Sequence, residues 1–280
     1  MYSLCLQSER ARALLADALG AEPPRLDLAA CAVAALNDDA LDVSRVLSTL
    51  DGYGERVRAH GPEKLDALGR VQALRRVLAD EEGFWGDTES YESPENSFLD
   101  RVLTRKKGLP ITLAVVYLEV ARRAGIPLFG VSFPGHFLVA CPSEDGKLVV
   151  DPFQGGAILT EAGCQDLLAR VAPQVKFQPR LLSAAPVKVI AWRMLNNVKR
   201  AWLERTDGEQ AARAVDLLLH LHPDHPGELR ARATILSALG AYRAALADVE
   251  RCLKLSPDAP DQIQLEMTAQ ALRHRLELLN

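Results

Sequence analysis

The stretch that decides the fold spans residues 108–153 and reads GLPITLAVVYLEVARRAGIPLFGVSFPGHFLVACPSEDGKLVVDPF. Its first part carries apolar residues at helical spacing between Pro110 and Gly125. Proline suits the first turn of a helix, where its missing N–H needs no partner, and glycine adopts the left-handed conformation that ends many helices. The second part consists of short runs of β-branched and aromatic residues between turn-forming residues. We therefore predict a helix followed by a small antiparallel sheet that packs on it.

The predicted sheet brings two ionisable side chains close together. Its strands are expected at residues 128–132, 137–141, 147–150 and, as a small addition, Ala157–Leu159. His136 then lies at the start of one strand and Asp151 at the end of the next. A helix N-terminus, a histidine and an aspartate in this order form the layout of a thiol active site: the first two lower the pKa of the cysteine, and the third orients the imidazole. Here the residue at the helix start is Pro110, which has no nucleophilic atom.

The motifs of this stretch resemble the core of transglutaminase-like, papain-related folds. In those folds Gly-x-Cys opens the helix, and Arg-x-x-Gly-Ile-Pro, His-Ala-Trp and Asp-Pro follow. The resemblance implies an α+β fold in which His136 and Asp151 are a remnant catalytic dyad and Pro110 occupies the nucleophile position. The corresponding segments are Gly108-x-Pro110, Arg123-x-Gly125-Ile126-Pro127, His136-Phe137 and Asp151-Pro152.

Nearly the whole chain resembles a narrower bacterial family. Its members join a helical N-terminal region, a transglutaminase-like core and C-terminal tetratricopeptide repeats, and one of them is described as an invasion-regulator protein. Asp87 departs from the family pattern, which has Asn there. Because that pattern carries Pro where the enzymes carry Cys, the resemblance implies no known reaction. Further matching segments are Gly83-Phe84-x-Gly86, Pro94-x-Asn96-Ser97 and residues 107–113, 133–137 and 151–153.

A candidate cleft surrounds the predicted dyad. Thr112 offers a hydroxyl near the helix start, but two residues along a helix turn a side chain by roughly 200°, so we expect it to face away from the nucleophile position. The aromatic group of Phe84, Trp85, Tyr91 and Phe98 either lines a groove for a peptide or pins a loop to the core. The expected cleft residues are Gly83, Phe84, Asn96, Ser97, Gly108, Pro110, Thr112, Pro134, Phe137 and Phe153.

Cysteine usage indicates reduced thiols. The cysteines are odd in number, widely spaced and never arranged as C-x-x-C, which argues against a disulfide framework or a zinc knuckle. We therefore expect a cytoplasmic protein. Whether Cys31 or Cys141 approaches His136 in space is open at this point. The cysteines are Cys5, Cys31, Cys141, Cys164 and Cys252.

A second ionisable group, His220, His222 and His225 with Asp224, looks at first like a metal cluster. It lies in a turn between two predicted helices, and the Pro-Asp part of that turn recurs at residues 257–258 without any histidine. Histidine near a helix C-terminus is favoured by the helix dipole, which accounts for the group without a ligand. We therefore predict no metal, and we expect no cofactor.

Residues after about 186 lack strand signals and repeat at an offset of 34 residues. This period, in helix-turn-helix units closed by Pro, is typical of tetratricopeptide repeats. Residues 261–279 are expected to form the capping helix that such arrays need. Stacked helix pairs make a concave surface that suits peptides, so we expect a protein or peptide partner. The coinciding pairs are Ala211 and Ala245, Val215 and Val249, Leu219 and Leu253, Leu221 and Leu255, Pro223 and Pro257, Asp224 and Asp258, and Pro226 and Pro260.

Composition narrows the classes of partner. The chain has 280 residues, 48% of them apolar, and a formal net charge of −4. This weak negative charge gives no reason to expect nucleic acid or an anionic membrane, and no apolar run reaches the roughly 20 residues that a bilayer span needs. Helical periodicity over residues 1–80 and a core motif at about 83–160 predict a first domain at residues 1–185, with the repeat domain at 186–280.

Three functions are compatible with these features. The leading hypothesis is a non-catalytic transglutaminase-like protein that binds a partner as a scaffold or regulator, through a degenerate cleft and the helical repeats. A rival is a weak hydrolase or acyl-transferase that uses His136 and Asp151 without a cysteine, for example as a general base for water. It requires His136 to open onto a cleft walled by Phe84, Asn96 and Pro110. A third possibility is a structural adaptor whose core only supports the repeats. The sequence does not determine the oligomeric state.

Overall fold

The structure is a computed structural model that describes residues 2–256 and 260–278, with the side chains of residues 2–8 outside that description. The chain divides into two compact units. One comprises Ala13–Met194, and the other comprises Met1–Arg12 together with Leu195–Asn280. The predicted boundary between residues 185 and 186 stays a prediction. None of the described helices combines the length and apolar character that a membrane crossing requires.

Helices fill the N-terminal third, as the apolar periodicity predicts. Asp42 caps α3 by accepting a hydrogen bond from the N–H of Arg45, and Asp66 caps α4 by accepting one from the N–H of Gly69. Both are short acceptor side chains that satisfy an N–H which the first helical turn leaves free. A π-helical turn at Arg76–Glu81 continues α4. The helices are α1 (Tyr2–Gly20), α2 (Leu26–Ala34), α3 (Val43–Arg58) and α4 (Ala67–Arg75).

The central helix of the larger unit is the predicted one, α6 (Pro110–Ala124), preceded by α5 (Leu99–Arg105). Pro110 occupies its first turn, and Gly125 ends it with a φ of 74°. Thirteen of its fifteen residues are buried, so α6 is enclosed by the elements around it. Its apolar surface explains this position, because burying an isoleucine, leucine or valine side chain contributes about 1.5–3 kcal/mol.

Four antiparallel strands follow α6 in the order β3–β4–β5–β6, which confirms the predicted α+β core. Val139 of β4 pairs with Val150 of β5, and Asp151 pairs with Ala157 of β6. A separate two-residue parallel pair, β1 (Trp85–Gly86) with β2 (Lys107–Gly108), lies before α6 in the sequence. The strands of the sheet are β3 (Phe129–Val131), β4 (Leu138–Ser143), β5 (Gly146–Asp151) and β6 (Ala157–Leu159).

The sequence prediction contains no helix after β6, but the structure has one, α7 (Glu161–Val171). Its signals are present in the chain. The hydroxyl oxygen of Thr160 accepts a hydrogen bond from the N–H of Gly163, which makes Thr160 the N-cap. Cys164, Leu167 and Leu168 form the buried face of α7 and pack against the sheet. Helix α8 (Val187–Glu204) follows after a connection that contains a short 3-10 helix at Pro179–Leu182.

The smaller unit consists of paired helices, as the 34-residue repeat predicts. Arg232 of α10 bridges the two repeats by pairing with Asp216 of α9 at 2.7 Å and with Asp248 of α11 at 2.7 Å. The expected capping helix is α12, whereas Pro257, Asp258 and Leu279 of the prediction lie outside the described residues. The helices are α9 (Gly208–Leu221), α10 (Pro226–Ala238), α11 (Tyr242–Leu255) and α12 (Gln262–Glu277).

Candidate functional site

The predicted dyad is formed. Nε2 of His136 lies 2.9 Å from Oδ1 of Asp151, and both residues are buried. The same Oδ1 also accepts a hydrogen bond of 3.0 Å from the N–H of Phe153. His136 lies in a turn two residues before β4, and Asp151 ends the neighbouring strand β5, so the antiparallel pairing brings them together. The carboxylate thus holds the imidazole in one orientation.

The turn that carries His136 depends on a glycine and on an arginine. Gly135 has a φ of +67°, and a Cβ there would meet the carbonyl oxygen of Val171 at 2.7 Å. Arg193 of α8 donates to the carbonyl oxygens of Phe133 and His136, each at 2.9 Å, and to the hydroxyl of Ser132. Burial lowers the pKa of Arg193, and within the described residues no carboxylate pairs with it. Its hydrogen bonds therefore serve to fix the backbone of the histidine turn.

An aromatic cluster borders the dyad. The ring of Phe153 meets the His136 ring edge-on at 5.8 Å and the Tyr91 ring at 6.0 Å. Gly86 makes room for it, since a Cβ at residue 86 would meet the Phe153 ring at 2.5 Å. Edge-to-face contacts of this kind fix the orientation of aromatic rings. Phe153 and Tyr91 thus form a firm wall beside the imidazole.

A cavity of about 530 Å³ opens beside His136. Pro110 lies in its wall, so the N-terminus of α6 faces the same space as the dyad. Three further side chains come from α7, which the sequence prediction missed. The cavity is lined by Tyr91, Pro110, Gly135, His136, Asp151, Phe153, Gln154, Ala157, Leu167, Arg170 and Val171.

Of the expected cleft residues, Pro110 and Phe153 line this cavity together with the dyad. Gly83 is exposed, Pro134 is half-buried, and neither is part of the cavity wall. The other expected residues are buried elsewhere: Phe84, Asn96, Ser97, Gly108, Thr112 and Phe137. Their predicted role in a cleft is not tested by this placement. Tyr91, which belongs to the aromatic group predicted either to line a groove or to pin a loop, also lines the cavity. The lining residues without a place in the predicted cleft are Gly135, Gln154, Ala157, Leu167, Arg170 and Val171.

Asn96 and Asp87 hold the loop before α5 in place. The side-chain amide of Asn96 donates to the carbonyl oxygen of Ser90 at 2.7 Å, and its own oxygen accepts from Arg105. Arg105 also pairs with Asp87 at 3.0 Å. Burial alone would raise the pKa of Asp87, but hydrogen bonds from Ser90, Asn96 and Arg105 outweigh it and lower that pKa. The aspartate at residue 87 thus forms an ion pair that holds this loop.

Comparison with known proteins agrees with this architecture. A model of the transglutaminase-like superfamily matches residues 44–196, and a tetratricopeptide-repeat model matches residues 198–273. A UPF0162 protein of Xylella fastidiosa is 38% identical over 221 residues, covering 78% of this chain and 79% of that protein. The chain belongs to the UPF0162 family of transglutaminase-like proteins.

Other members of the UPF0162 family are similar over most of their length. A UPF0162 protein of Pseudomonas aeruginosa is 34% identical over 252 residues, covering 89% of this chain and 91% of that protein. Protein SirB1 of Salmonella typhimurium is 25% identical over 231 residues, covering 81% of this chain and 86% of that protein. No solved structure matches the chain significantly. The comparisons thus confirm the resemblance to transglutaminase-like proteins with C-terminal tetratricopeptide repeats.

The four cysteines of this UPF0162 protein whose side chains are described are not part of the cavity wall. Cys31, Cys141, Cys164 and Cys252 are free and buried, and none of them is part of the cavity wall. Burial raises the pKa of Cys31 to about 12 and also raises the pKa of Cys141. A buried thiol with a raised pKa is a poor nucleophile at neutral pH. The side chain of Cys5 lies outside the described residues.

The histidines of the repeat turn have structural roles where their contacts are given. Nδ1 of His225 accepts a hydrogen bond of 3.2 Å from the N–H of Glu228, which caps α10. In the ranges that the structure covers, no three His, Cys, Asp or Glu side chains gather into a possible metal site. The turn is thus explained as a helix cap.

The geometry of the cavity defines its possible chemistry. Because Asp151 accepts from Nε2, a neutral His136 carries its proton there and presents Nδ1 as an acceptor. No described residue bonds to that Nδ1. The site can therefore take a proton or a hydrogen bond from a bound molecule, and its described lining contains no Cys, Ser or Thr side chain.

Proposed function

We propose that this protein is a non-catalytic, transglutaminase-like binding protein, a pseudoenzyme that recognises a protein or peptide partner through the cavity beside His136 and through its repeats. The observation that carries the proposal is Pro110. It borders the cavity at the N-terminus of α6, where a thiol would stand in a Cys-His-Asp site. The widely spaced cysteines support a cytoplasmic location as part of the same proposal.

The shape of the cavity supports binding. Ligand sites commonly measure about 300–1,000 Å³ and combine apolar walls with a few polar groups. This cavity falls in that range, at about 530 Å³. Phe153, Leu167 and Val171 supply apolar surface, while His136 and Arg170 supply polar groups. Tetratricopeptide repeats generally mediate contacts between proteins, which supports a macromolecular partner over a small metabolite.

A catalytic assay tests the first half of the proposal. The full-length protein is incubated with amine donors and glutamine peptides, and separately with thiol-directed probes. We expect no turnover, and no modification of the four cysteines whose side chains are described, because those thiols are buried. Turnover that disappears in His136→Ala, with an unchanged melting temperature, contradicts the proposal.

A capture experiment tests the second half. Ala157→Trp puts a bulky ring into the cavity, since Ala157 lines it, whereas Ala162→Trp adds the same ring at an exposed residue of α7 outside the cavity. Peptides that bind the full-length protein are identified by mass spectrometry for both variants. We expect binding to fall in Ala157→Trp and to persist in Ala162→Trp. Equal binding to both variants contradicts a role for the cavity.

One observation favours a second candidate function. His136 borders a cavity, and Nδ1 has no described partner, so a water molecule placed there has a base to take its proton. General-base catalysis contributes about 10²–10⁴-fold, which suffices for a weak hydrolase. A panel of activated esters and amides, assayed with the native protein, His136→Ala and Asp151→Asn, separates the two candidates. Hydrolysis that both substitutions abolish supports the hydrolase; the same low rate in all three proteins opposes it.

A further inference from the structure

We propose that the cavity beside His136 binds the C-terminal carboxylate of an apolar peptide. The inference rests on the proposed function and names the chemistry of the partner. It is based on the charges that face the cavity, on the unpaired donors at the start of α6, and on the apolar wall formed by α7.

The charges at the cavity favour an anion. Arg170 of α7 lines the cavity, is exposed, and pairs with no described residue. Asp151 is the single carboxylate among the described lining residues, and it is only 2% exposed. Its Oδ1 already accepts hydrogen bonds from His136 and Phe153. A ligand that enters the cavity is therefore more accessible to the guanidinium of Arg170 than to the carboxylate of Asp151. A carboxylate on the ligand forms a charge-assisted hydrogen bond with that guanidinium, which is stronger than the bond of a neutral acceptor.

Two backbone N–H groups at the start of α6 also favour an anion. Leu113 donates to the carbonyl oxygen of Leu109, but neither the N–H of Ile111 nor that of Thr112 has an acceptor in the portion of the chain that is described. Pro110, one residue earlier, borders the cavity. Free N–H groups and the positive end of the helix dipole attract anions. Together with the guanidinium of Arg170, they form a donor set that suits a carboxylate.

The remaining walls suit an apolar side chain next to that carboxylate. Phe153, Leu167, Val171 and Ala157 present apolar surface to the same space. An inorganic anion leaves this surface unused, whereas the last residue of a peptide covers it.

The strand beside the cavity favours a peptide over a small acid. Ala157 lines the cavity and begins the edge strand β6, which pairs with β5 alone among the described strands. Residues 157–159 form no backbone hydrogen bond outside that pairing within the described chain. An open strand edge is a surface to which an extended peptide can add its own backbone. The carboxylate of such a peptide ends in the cavity.

The experiment is a titration of the full-length protein, labelled with ¹⁵N in its histidines, followed by NMR. The His136 signal is assigned by its absence in His136→Gln. The ligands are N-acetyl-Leu-Phe with a free carboxylate, the same compound as the C-terminal amide, and octanoate. We expect the acid to shift the His136 signal and saturate it, and both the amide and octanoate to bind at least about tenfold more weakly, because each lacks one part of the recognised group.

A pair of arginine substitutions checks the cation. Arg170→Gln is expected to weaken binding of the acid about tenfold and to leave binding of the amide unchanged. The control is Arg180→Gln, which removes the same charge from another exposed residue outside the cavity and should leave both affinities unchanged.

Several results overturn the inference. Equal affinity for the acid and the amide, or equal effects of Arg170→Gln and Arg180→Gln, contradicts recognition of the carboxylate. The absence of any shift of the His136 signal contradicts binding at this cavity. Octanoate that binds as tightly as the acid assigns the site to small carboxylic acids instead. Equal affinity for acid and amide leaves the proposed function intact. Conversely, acetate or free amino acids released from the peptide, detected in one-dimensional ¹H spectra of the same samples, overturn the non-catalytic function while the carboxylate preference still stands.

Discussion

Helix α6 ends in a closed network of charges and begins at an open cavity. At its C-terminal end, Arg122 and Arg123 pair with Asp27 of α2 at 3.2 and 2.9 Å, and both also pair with Glu119. Asp27 and Glu119 are almost completely buried. At its N-terminal end, the N–H groups of residues 111 and 112 have no acceptor among the described residues, and the Thr112 hydroxyl is buried without a partner.

This difference separates stability from binding along one helix. Buried charges are tolerated where each has a partner, so the Asp27 end fixes α6 against the N-terminal helices. Unpaired donors are costly to bury, so they persist where another requirement keeps them. The N-terminal end borders the cavity and the dyad, where the proposed ligand can supply acceptors to these N–H groups. The substitutions predicted below remove contacts or change side chains at one end of α6 or at the other.

Asp27→Asn breaks the closed end and has the largest expected effect. Removing the carboxylate leaves the nearly buried guanidinium of Arg123 with one partner fewer, and breaking a buried ion pair costs about 3–5 kcal/mol. Urea unfolding followed by circular dichroism measures the loss. The control is Asp51→Asn, which breaks an exposed pair with the same Arg123 and should cost at most about 1 kcal/mol. Equal losses in the two variants would show that burial does not set the strength of this network.

Acid weakens the same network in a defined pH range. Burial alone would raise the pKa of Asp27, but hydrogen bonds from Arg25 and Arg123 lower it from 3.8 to about 2. A lowered carboxyl pKa contributes stability that is complete above the unfolded value and is lost as pH falls towards about 2. The contribution is about 2 kcal/mol. We expect the stability difference between the native protein and Asp27→Asn to shrink by about that amount between pH 5 and pH 2; a constant difference contradicts this origin.

Pro110→Cys tests the open end by placing a thiol at the start of α6, beside His136. The helix N-terminus and the imidazole should lower the pKa of the new thiol below its ordinary value of about 8.5. At pH 7 we therefore expect alkylation by iodoacetamide about tenfold faster than in the double variant with His136→Ala, measured by mass spectrometry. Thr112→Cys is the control, since residue 112 is buried outside the cavity and its new thiol should react slowly. If the two thiols react at one rate, Pro110 does not mark the nucleophile position.

The sequence predicts the parts of this site that depend on local pattern. Pro110 and Gly125 bound α6 because each satisfies a special backbone position, and the alternation of strands and turns brings His136 next to Asp151. The cavity itself is harder to predict from the sequence, because the helix α7 forms part of its wall. Thr160 and the apolar spacing of Cys164, Leu167 and Leu168 signal that helix, but a short amphipathic run after a sheet does not indicate where it packs.

The residue types of the motifs also do not predict which of their side chains line the cavity and which are buried elsewhere. Phe84, Asn96 and Phe137 belong to motifs of the predicted core, yet each is buried and none is part of the cavity wall. The Asn96 amide satisfies backbone and arginine groups, and this network depends on where Ser90 and Arg105 lie in space. Tertiary packing, rather than sequence separation, selects which residues of a motif face a ligand.

A matched pair of threonine substitutions gives the smallest effects, with opposite signs at a satisfied and an unsatisfied hydroxyl. Thr160→Val removes the oxygen that caps α7 by accepting from the N–H of Gly163 at 3.1 Å, which should cost about 1 kcal/mol. Thr112→Val removes a hydroxyl that is buried without a partner and keeps the shape of the side chain, so we expect no loss and a gain of up to about 1 kcal/mol. Urea unfolding of both variants provides the comparison. A loss in Thr112→Val as large as in Thr160→Val would mean that the Thr112 hydroxyl has a hydrogen-bond partner, which contradicts its description as an unsatisfied group.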